Sequence, residues 1–217
     1  SGKRLLVQAE QGLGDQIMFA SCLPDVVAQA QHVVIECDPR LAKLFARSFP
    51  RAQAYRYRFP GQPDWSGEPA PHFRARCGDL PRMLRNQDSD FPQQANYLIA
   101  DSSRVTAWRS RLAELGPGLK VGVSWRGGTP ATGQATRSIP LEALLPVLSV
   151  SDTHFISLQY GAVGAEVAAF RAHHNVVMHE WAAADADMDD VAALISSLDL
   201  IISVCTTAAH LAGALGK

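Results

Sequence analysis

No two of the cysteines in this chain are spaced to share a metal. The four of them, Cys22, Cys37, Cys77 and Cys205, form no Cys-x-x-Cys pair, and none sits at zinc-ligand spacing from a pair of histidines. They read as unpaired thiols in a reducing cytoplasm. Charge of one sign is also lacking. With 20 Lys and Arg against 21 Asp and Glu, the net charge is −1, which leaves no electrostatic footprint for nucleic acid or an anionic membrane surface. No apolar run approaches the roughly 20 residues that span a bilayer, so no transmembrane segment is expected. Ser1-Gly2-Lys3-Arg4 leads straight into a strand-like stretch, without the apolar region or cleavage site of a signal peptide. There is no internal repeat and no low-complexity tract. No Asp-x-Asp motif is present, so nothing asks for a divalent metal, and no cofactor is expected.

What is present is a strand–helix alternation. Apolar or β-branched runs at Arg4–Ala9, His32–Cys37, Ala54–Arg58, Tyr97–Ala100, Lys120–Trp125, His154–Leu158, Val176–His179 and Leu200–Val204 read as strands. Helical patterns fall at Gln16–Gln31, Pro39–Ser48, Asp79–Leu84, Ser102–Leu115, Pro140–Leu148, Ala162–His173, Asp189–Leu198 and Thr207–Leu215. Near-continuous apolar strands between helices indicate parallel βαβ units, with ligands at the carboxyl ends of the strands. The expected fold class is α/β with two Rossmann-like lobes. Phe59–His72, rich in Pro and Gly, reads as a surface loop. Gly116 suits a helix C′ position followed by Pro117, which places the domain boundary there: residues 1–116 and 117–217. The second lobe counts only about four strands where doubly wound sheets usually have five or six, so it is expected to be incomplete.

Three segments can carry chemistry. Gln11-Gly12-Leu13-Gly14-Asp15 follows the first strand and opens a helix. Gly12 and Gly14 allow a tight turn, but the third glycine of a dinucleotide fingerprint is missing, which argues against a Rossmann oxidoreductase. Asp15 is either an N-cap carboxylate or a general base. In the second segment, Val121–Gly128, a buried strand delivers Ser124 and Arg126 to its carboxyl end. The Gly/Thr/Ala-rich loop beyond it has nothing to pack against and is expected to be mobile without ligand. That loop ends at Arg137, which is either solvated or a bidentate partner for a diphosphate. The third segment is Ser203–His210. Thr206 or Thr207 caps a helix of small residues, and free amides beside hydroxyls suit an anion. His210, about one turn in, lies on the same side and is either structural or a ligand contact.

Four stretches resemble one family: GKRLLVQAEQGLGDQIMFASCLP over residues 2–24, Leu119–Arg126 with RSIPLEAL from Arg137, SLQYG over Ser157–Gly161, and DVAALISSLDLIISVCTTAAHLAGALG from Asp190. Together they are similar to the ADP-heptose:lipopolysaccharide heptosyltransferase-like glycosyltransferases of GT-B type, in the bacterial branch where such a domain follows tetratricopeptide repeats. The resemblance implies that Asp15 is the catalytic base and that Arg137 contacts the donor diphosphate. It implies that Thr206, Thr207 and His210 hold donor phosphates and sugar hydroxyls, that Gln159 meets the nucleoside, and that Ser124 lies on the donor-facing strand end. It also implies tetratricopeptide repeats ahead of Ser1, a further strand and helix after Lys217, and a cytoplasmic location at the inner face of the membrane. One position departs from the family's Ser-x-Asp-Thr pattern. Its third residue is Cys205 here, and a thiol accepts hydrogen bonds far less well than a carboxylate.

The expected function is an inverting, metal-independent glycosyl transfer from a nucleotide-diphosphate sugar to a glycan or protein acceptor. The competing expectation, motivated by Cys205, is a degenerate binding or scaffold module.

Overall fold

The computed structural model describes residues 2–56, 69–93, 95–181 and 187–217. Most of the expected loop Phe59–His72 and the end of the expected strand Ala54–Arg58 lie outside these residues. The chain divides into two compact units: residues 1–99 with 214–216, and residues 100–213 with Lys217.

The first unit contains β1 (Arg4–Gln8), α1 (Leu13–Phe19), α2 (Leu23–Gln29), β2 (His32–Cys37), α3 (Ala42–Ser48), β3 (Ala52–Arg56), β4 (Phe73–Arg76) and α4 (Leu80–Leu84). Its sheet runs β3-β2-β1-β4, all parallel. Leu6, Ile17, Leu23, Ile35, Leu41 and Leu44 are fully buried within it. The single helix expected over Gln16–Gln31 is instead two, α1 and α2, joined by a 3₁₀ turn at Ala20–Cys22. Pro24 explains the break: it has no N–H for the carbonyl four residues back, so the chain tightens and a new helix starts with proline in its first turn.

The strand expected at Tyr97–Ala100 is not formed. Leu98 is buried, but the amides of Tyr97 and Leu98 both donate to the Ala214 carbonyl at 3.0 Å, so the segment is a docked irregular stretch. The fourth strand is β4, whose sequence FRAR pairs with β1 at the sheet edge. Two arginines in four residues suit an edge strand and hide it from a search for apolar runs.

The second unit contains α5 (Ser102–Ala113), β5 (Leu119–Ser124), α6 (Leu145–Leu148), β6 (Thr153–Ser157), α7 (Gly164–His174), β7 (Met178–His179), α8 (Met188–Ser197), β8 (Leu200–Ser203) and α9 (Thr207–Ala214). Its parallel sheet runs β7-β6-β5-β8, the same winding as the first. Val121, Val123, Trp125, Phe155, Phe170 and Leu141 form one core cluster. Burying a large apolar side chain is worth about 1.5–3 kcal/mol, so a handful of these stabilises the unit substantially.

The division falls at Ile99/Ala100, earlier than the expected 116/117. The reason is α5. Its Asp101 cap accepts from the Ser103 and Arg104 amides, and the helix then packs on α8. Arg104 pairs with Asp187 at 2.8 Å, Trp108 Nε1 donates to Asp190 at 3.0 Å, and Ser197 Oγ donates to the Val105 carbonyl at 3.2 Å. The turn at Gly116, with φ +86°, forms as expected but lies inside the second unit. Among the described residues, no helix is long and apolar enough to cross a membrane.

Candidate functional site

Each sheet reverses its winding between its first and fourth strands. In parallel sheets such a switch point, at the carboxyl ends of the strands, is where ligands bind. In the second unit the flanking strands are β5 and β8, and the segments Ser124–Gly128 and Ser203–Thr207 extend from them.

Gln159, just past β6, ties this rim together. Its Oε1 accepts from Ser124 Oγ at 3.2 Å, the Trp125 amide at 3.0 Å and the Arg126 amide at 2.7 Å, while its Nε2 donates to the Arg126 carbonyl at 3.0 Å. Gln159 is 6% exposed and Ser124 2%, so both side chains are spent on holding the rim. Gln159 and Ser124 thus position the backbone of residues 124–126 at the carboxyl end of β5. Val204 N donates to the Ser124 carbonyl at 2.9 Å and closes the β5–β8 edge of the rim.

Arg126 turns toward Glu166 in the first turn of α7, at 3.3 Å. This is a charge contact: Glu166 Oε2 is buried and accepts no aligned hydrogen bond. The other carboxylate oxygen, Oε1, accepts from Trp125 Nε1 at 3.1 Å. Arg137 is exposed, and its Nη2 donates to the Cys205 carbonyl at 3.2 Å. The loop between these arginines is folded as two 3₁₀ turns, Pro130–Thr132 and Gln134–Arg137, with Gly133 left-handed between them. Thr129 and Thr132 cap the first turn reciprocally, and Ser138 Oγ links the Gly127 amide to the Gln134 carbonyl. These bonds supply the packing that the composition did not suggest.

Gly127 is where the strands' extensions meet. A Cβ on it would lie 2.9 Å from the Arg137 carbonyl oxygen and 3.1 Å from that of Cys205. Only a residue without a side chain lets these two backbones close on the β5 terminus.

Thr206 caps α9: its Oγ1 accepts from the Ala208 amide at 3.2 Å and also pairs with Ser203 Oγ at 3.0 Å. It is 7% exposed. Thr207 begins the helix and is half-buried, as is His210 one turn on. Cys205 is exposed at the mouth, whereas Cys22, Cys37 and Cys77 are buried. Burial pushes the Cys37 and Cys77 thiols up to about 12, which removes them from nucleophilic chemistry. The second unit thus gathers a guanidinium, a helix N-terminus with hydroxyls and a glycine-bearing turn on one rim. That is a donor set for an anionic group.

In the first unit, the segments at the switch point are Ala9–Asp15 after β1 and Cys77–Asp79 after β4. Gly12 precedes α1, Gly14 is its second residue, and Asp15 its third. Asp15 is exposed, and its carboxylate leans back over Gly12, where a Cβ would overlap it. The N-cap is Gly12 and not Asp15, so the acid is not the expected capping residue; it sits in the first turn, at the positive end of its own helix, open to solvent.

Two residues that sequence reasoning missed hold this rim. The buried Gln16 donates from Nε2 to the Glu10 carbonyl at 2.7 Å and accepts at Oε1 from the Asp38 amide at 2.8 Å. Glu10 Oε1 accepts from the Gly78 amide at 3.0 Å. Their partners are main-chain atoms, which leave no trace in a sequence pattern. Nearby, burial raises the Glu36 carboxyl, while the hydrogen bond from Arg40 lowers that of Asp38.

Two open cavities lie elsewhere. One of about 390 Å³ borders Phe49 and Tyr97, and one of about 350 Å³ borders His154 and His179. Both sit by the amino ends of strands, so the anion-friendly rims rather than these hollows are the candidate site.

No family model matches the chain. Protein FlbA of Caulobacter vibrioides is 35% identical over 228 residues, taking in 99% of this chain; the chain spans 38% of that relative's length. Among solved structures, a glycosyl transferase family 9 protein from Veillonella parvula matches with a TM-score of 0.69 at 12% identity, over 99% of this chain and 79% of that one. The E. coli ADP-heptose lps heptosyltransferase II matches with a TM-score of 0.66 at 11% identity, over 98% and 82%. E. coli heptosyltransferase WaaC with ADP matches with a TM-score of 0.53 at 13% identity, over 98% and 84%. The chain has the α/β fold of these GT-B-type glycosyltransferases.

Proposed function

We propose that this chain carries the working parts of an inverting glycosyltransferase that needs no metal and uses a nucleotide-diphosphate sugar as donor. The observation that supports it most is the convergence of Arg137, Gly127 and the capped start of α9 on one rim. Fold likeness to glycosyltransferases adds to that reading.

In this proposal the donor diphosphate lies against Arg137, the α9 amides and Thr207, with His210 facing the sugar. Asp15 takes the proton from an acceptor hydroxyl on a glycan or protein. The oxygen attacks the anomeric carbon as the bond from that carbon to the diphosphate oxygen breaks. A single displacement inverts the configuration, and the nucleoside diphosphate leaves with its charge met by the guanidinium and the helix terminus. The heptosyltransferase-like donor, the tetratricopeptide-linked branch and a cytoplasmic setting at the inner membrane face belong to the same proposal.

The test is turnover with a panel of nucleotide sugars. Asp15→Ala is expected to lose roughly 10²–10⁴-fold in turnover, with donor affinity unchanged. Full activity in that variant removes Asp15 from the mechanism. The exposed Cys205 favours a second reading, a nucleotide-sugar-binding module without catalysis. Calorimetric binding in the absence of any turnover supports that alternative.

A further inference from the structure

Tyr160 enters none of the roles above, yet it stands beside the donor rim. It follows Gln159, is 42% exposed, and its hydroxyl donates to the Gly128 carbonyl at 2.7 Å. Gly128 is left-handed, with φ +72°. A Cβ there would lie 3.0 Å from Thr132 Oγ1 and 3.4 Å from Arg137 Nη1, so the guanidinium lies beside this glycine with no side chain between them. Adjacent residues thus hold the two ends of one short stretch: Gln159 grips residues 124–126, and Tyr160 grips residue 128. Beyond them the loop is held by its internal 3₁₀ turns, by the Gly127–Ser138 bond and by Arg137 on the Cys205 carbonyl, while a partly solvated phenol ties Gly128 to the segment after β6.

We infer that the Tyr160 hydroxyl is a latch that sets the loop over residues 127–137 and so presents Arg137 to the donor's diphosphate. Tyr160 is a positioning residue: it acts through Gly128 and the guanidinium, not on the reacting atoms. The ligand in this statement rests on the donor-site reading; the latch itself does not.

The test uses the whole chain, with Tyr160→Phe, Arg137→Ala and the double variant. Phe keeps the ring and removes only the hydroxyl. The probes are ADP, UDP and GDP, titrated calorimetrically, together with hydrogen exchange of the amides over residues 127–137 without ligand. Tyr160→Phe is expected to speed exchange in that loop and to weaken the nucleoside diphosphate that binds by about three- to tenfold, the size of one hydrogen bond. The Arg137→Ala protein is expected to bind more weakly still. The double variant is expected to match Arg137→Ala, because a latch has nothing left to position once the guanidinium is gone.

Unchanged exchange in Tyr160→Phe overturns the latch whatever the nucleotides do. Independent losses that multiply in the double variant overturn its action through Arg137. If none of the three nucleotides binds the unaltered chain while Tyr160→Phe still speeds exchange, the donor-site reading fails and the latch stands.

Discussion

A methyl group on Gly127 has no room between two carbonyl oxygens that belong to different segments of the rim. Forcing one in typically costs about 1–3 kcal/mol in strain or displacement. Gly127→Ala is therefore expected to weaken nucleoside diphosphate binding about tenfold or more by calorimetry, with the far-ultraviolet dichroism of the chain unchanged. Wild-type affinity in that variant contradicts the close approach. At this scale the sequence was partly legible. Arg137, Thr206 and Thr207 stood out because a guanidinium ahead of a helix-starting proline and hydroxyls at a helix start both suit an anion. The work of Gln159, Gln16 and Glu10 did not, because each bonds to main-chain atoms that any sequence possesses.

Among elements, legibility followed burial. β2, β5 and β6 match their expected positions closely because each has a buried apolar centre, whereas the arginine-bearing edge strand β4 was hidden and the docked stretch at Tyr97 resembled a strand. Pro24 shows how one residue without an amide proton splits an otherwise helical pattern. β7 carries a pH-sensitive group. His179 stacks on Trp181 with ring centroids 5.8 Å apart and lies 6.0 Å from the ring of His154. Burial, then His154 and Lys120, lower its pKa below the ordinary 6.5. A base whose folded value is depressed contributes stability that is present above 6.5 and lost as pH falls through the lowered value. The urea midpoint is thus expected to drop between about pH 7 and about pH 5 by more in the unaltered chain than in His179→Phe. Parallel declines in the two proteins would remove His179 from the acid response.

Over the whole molecule, two sheets share one strand order, and each has its own buried core. The two-lobed α/β class was readable from strand–helix alternation alone. The division at Ile99/Ala100 was not, because the allegiance of α5 is decided by Arg104 and Trp108 meeting Asp187 and Asp190 far along the chain. Since the residues proposed to hold the donor all fall within residues 100–213, a fragment of residues 100–217 is expected to fold and to bind whichever nucleoside diphosphate the full chain binds, within about tenfold of its affinity. A fragment that is soluble and folded by dichroism but does not bind would assign part of the donor contacts to the other unit. Of the four thiols, the three in the first unit are shut inside it and the fourth faces solvent beside Arg137. A maleimide dye added to the untouched protein should therefore couple at a single place, beside the proposed donor rim, and its emission can report whether a nucleotide occupies that rim without any engineered label.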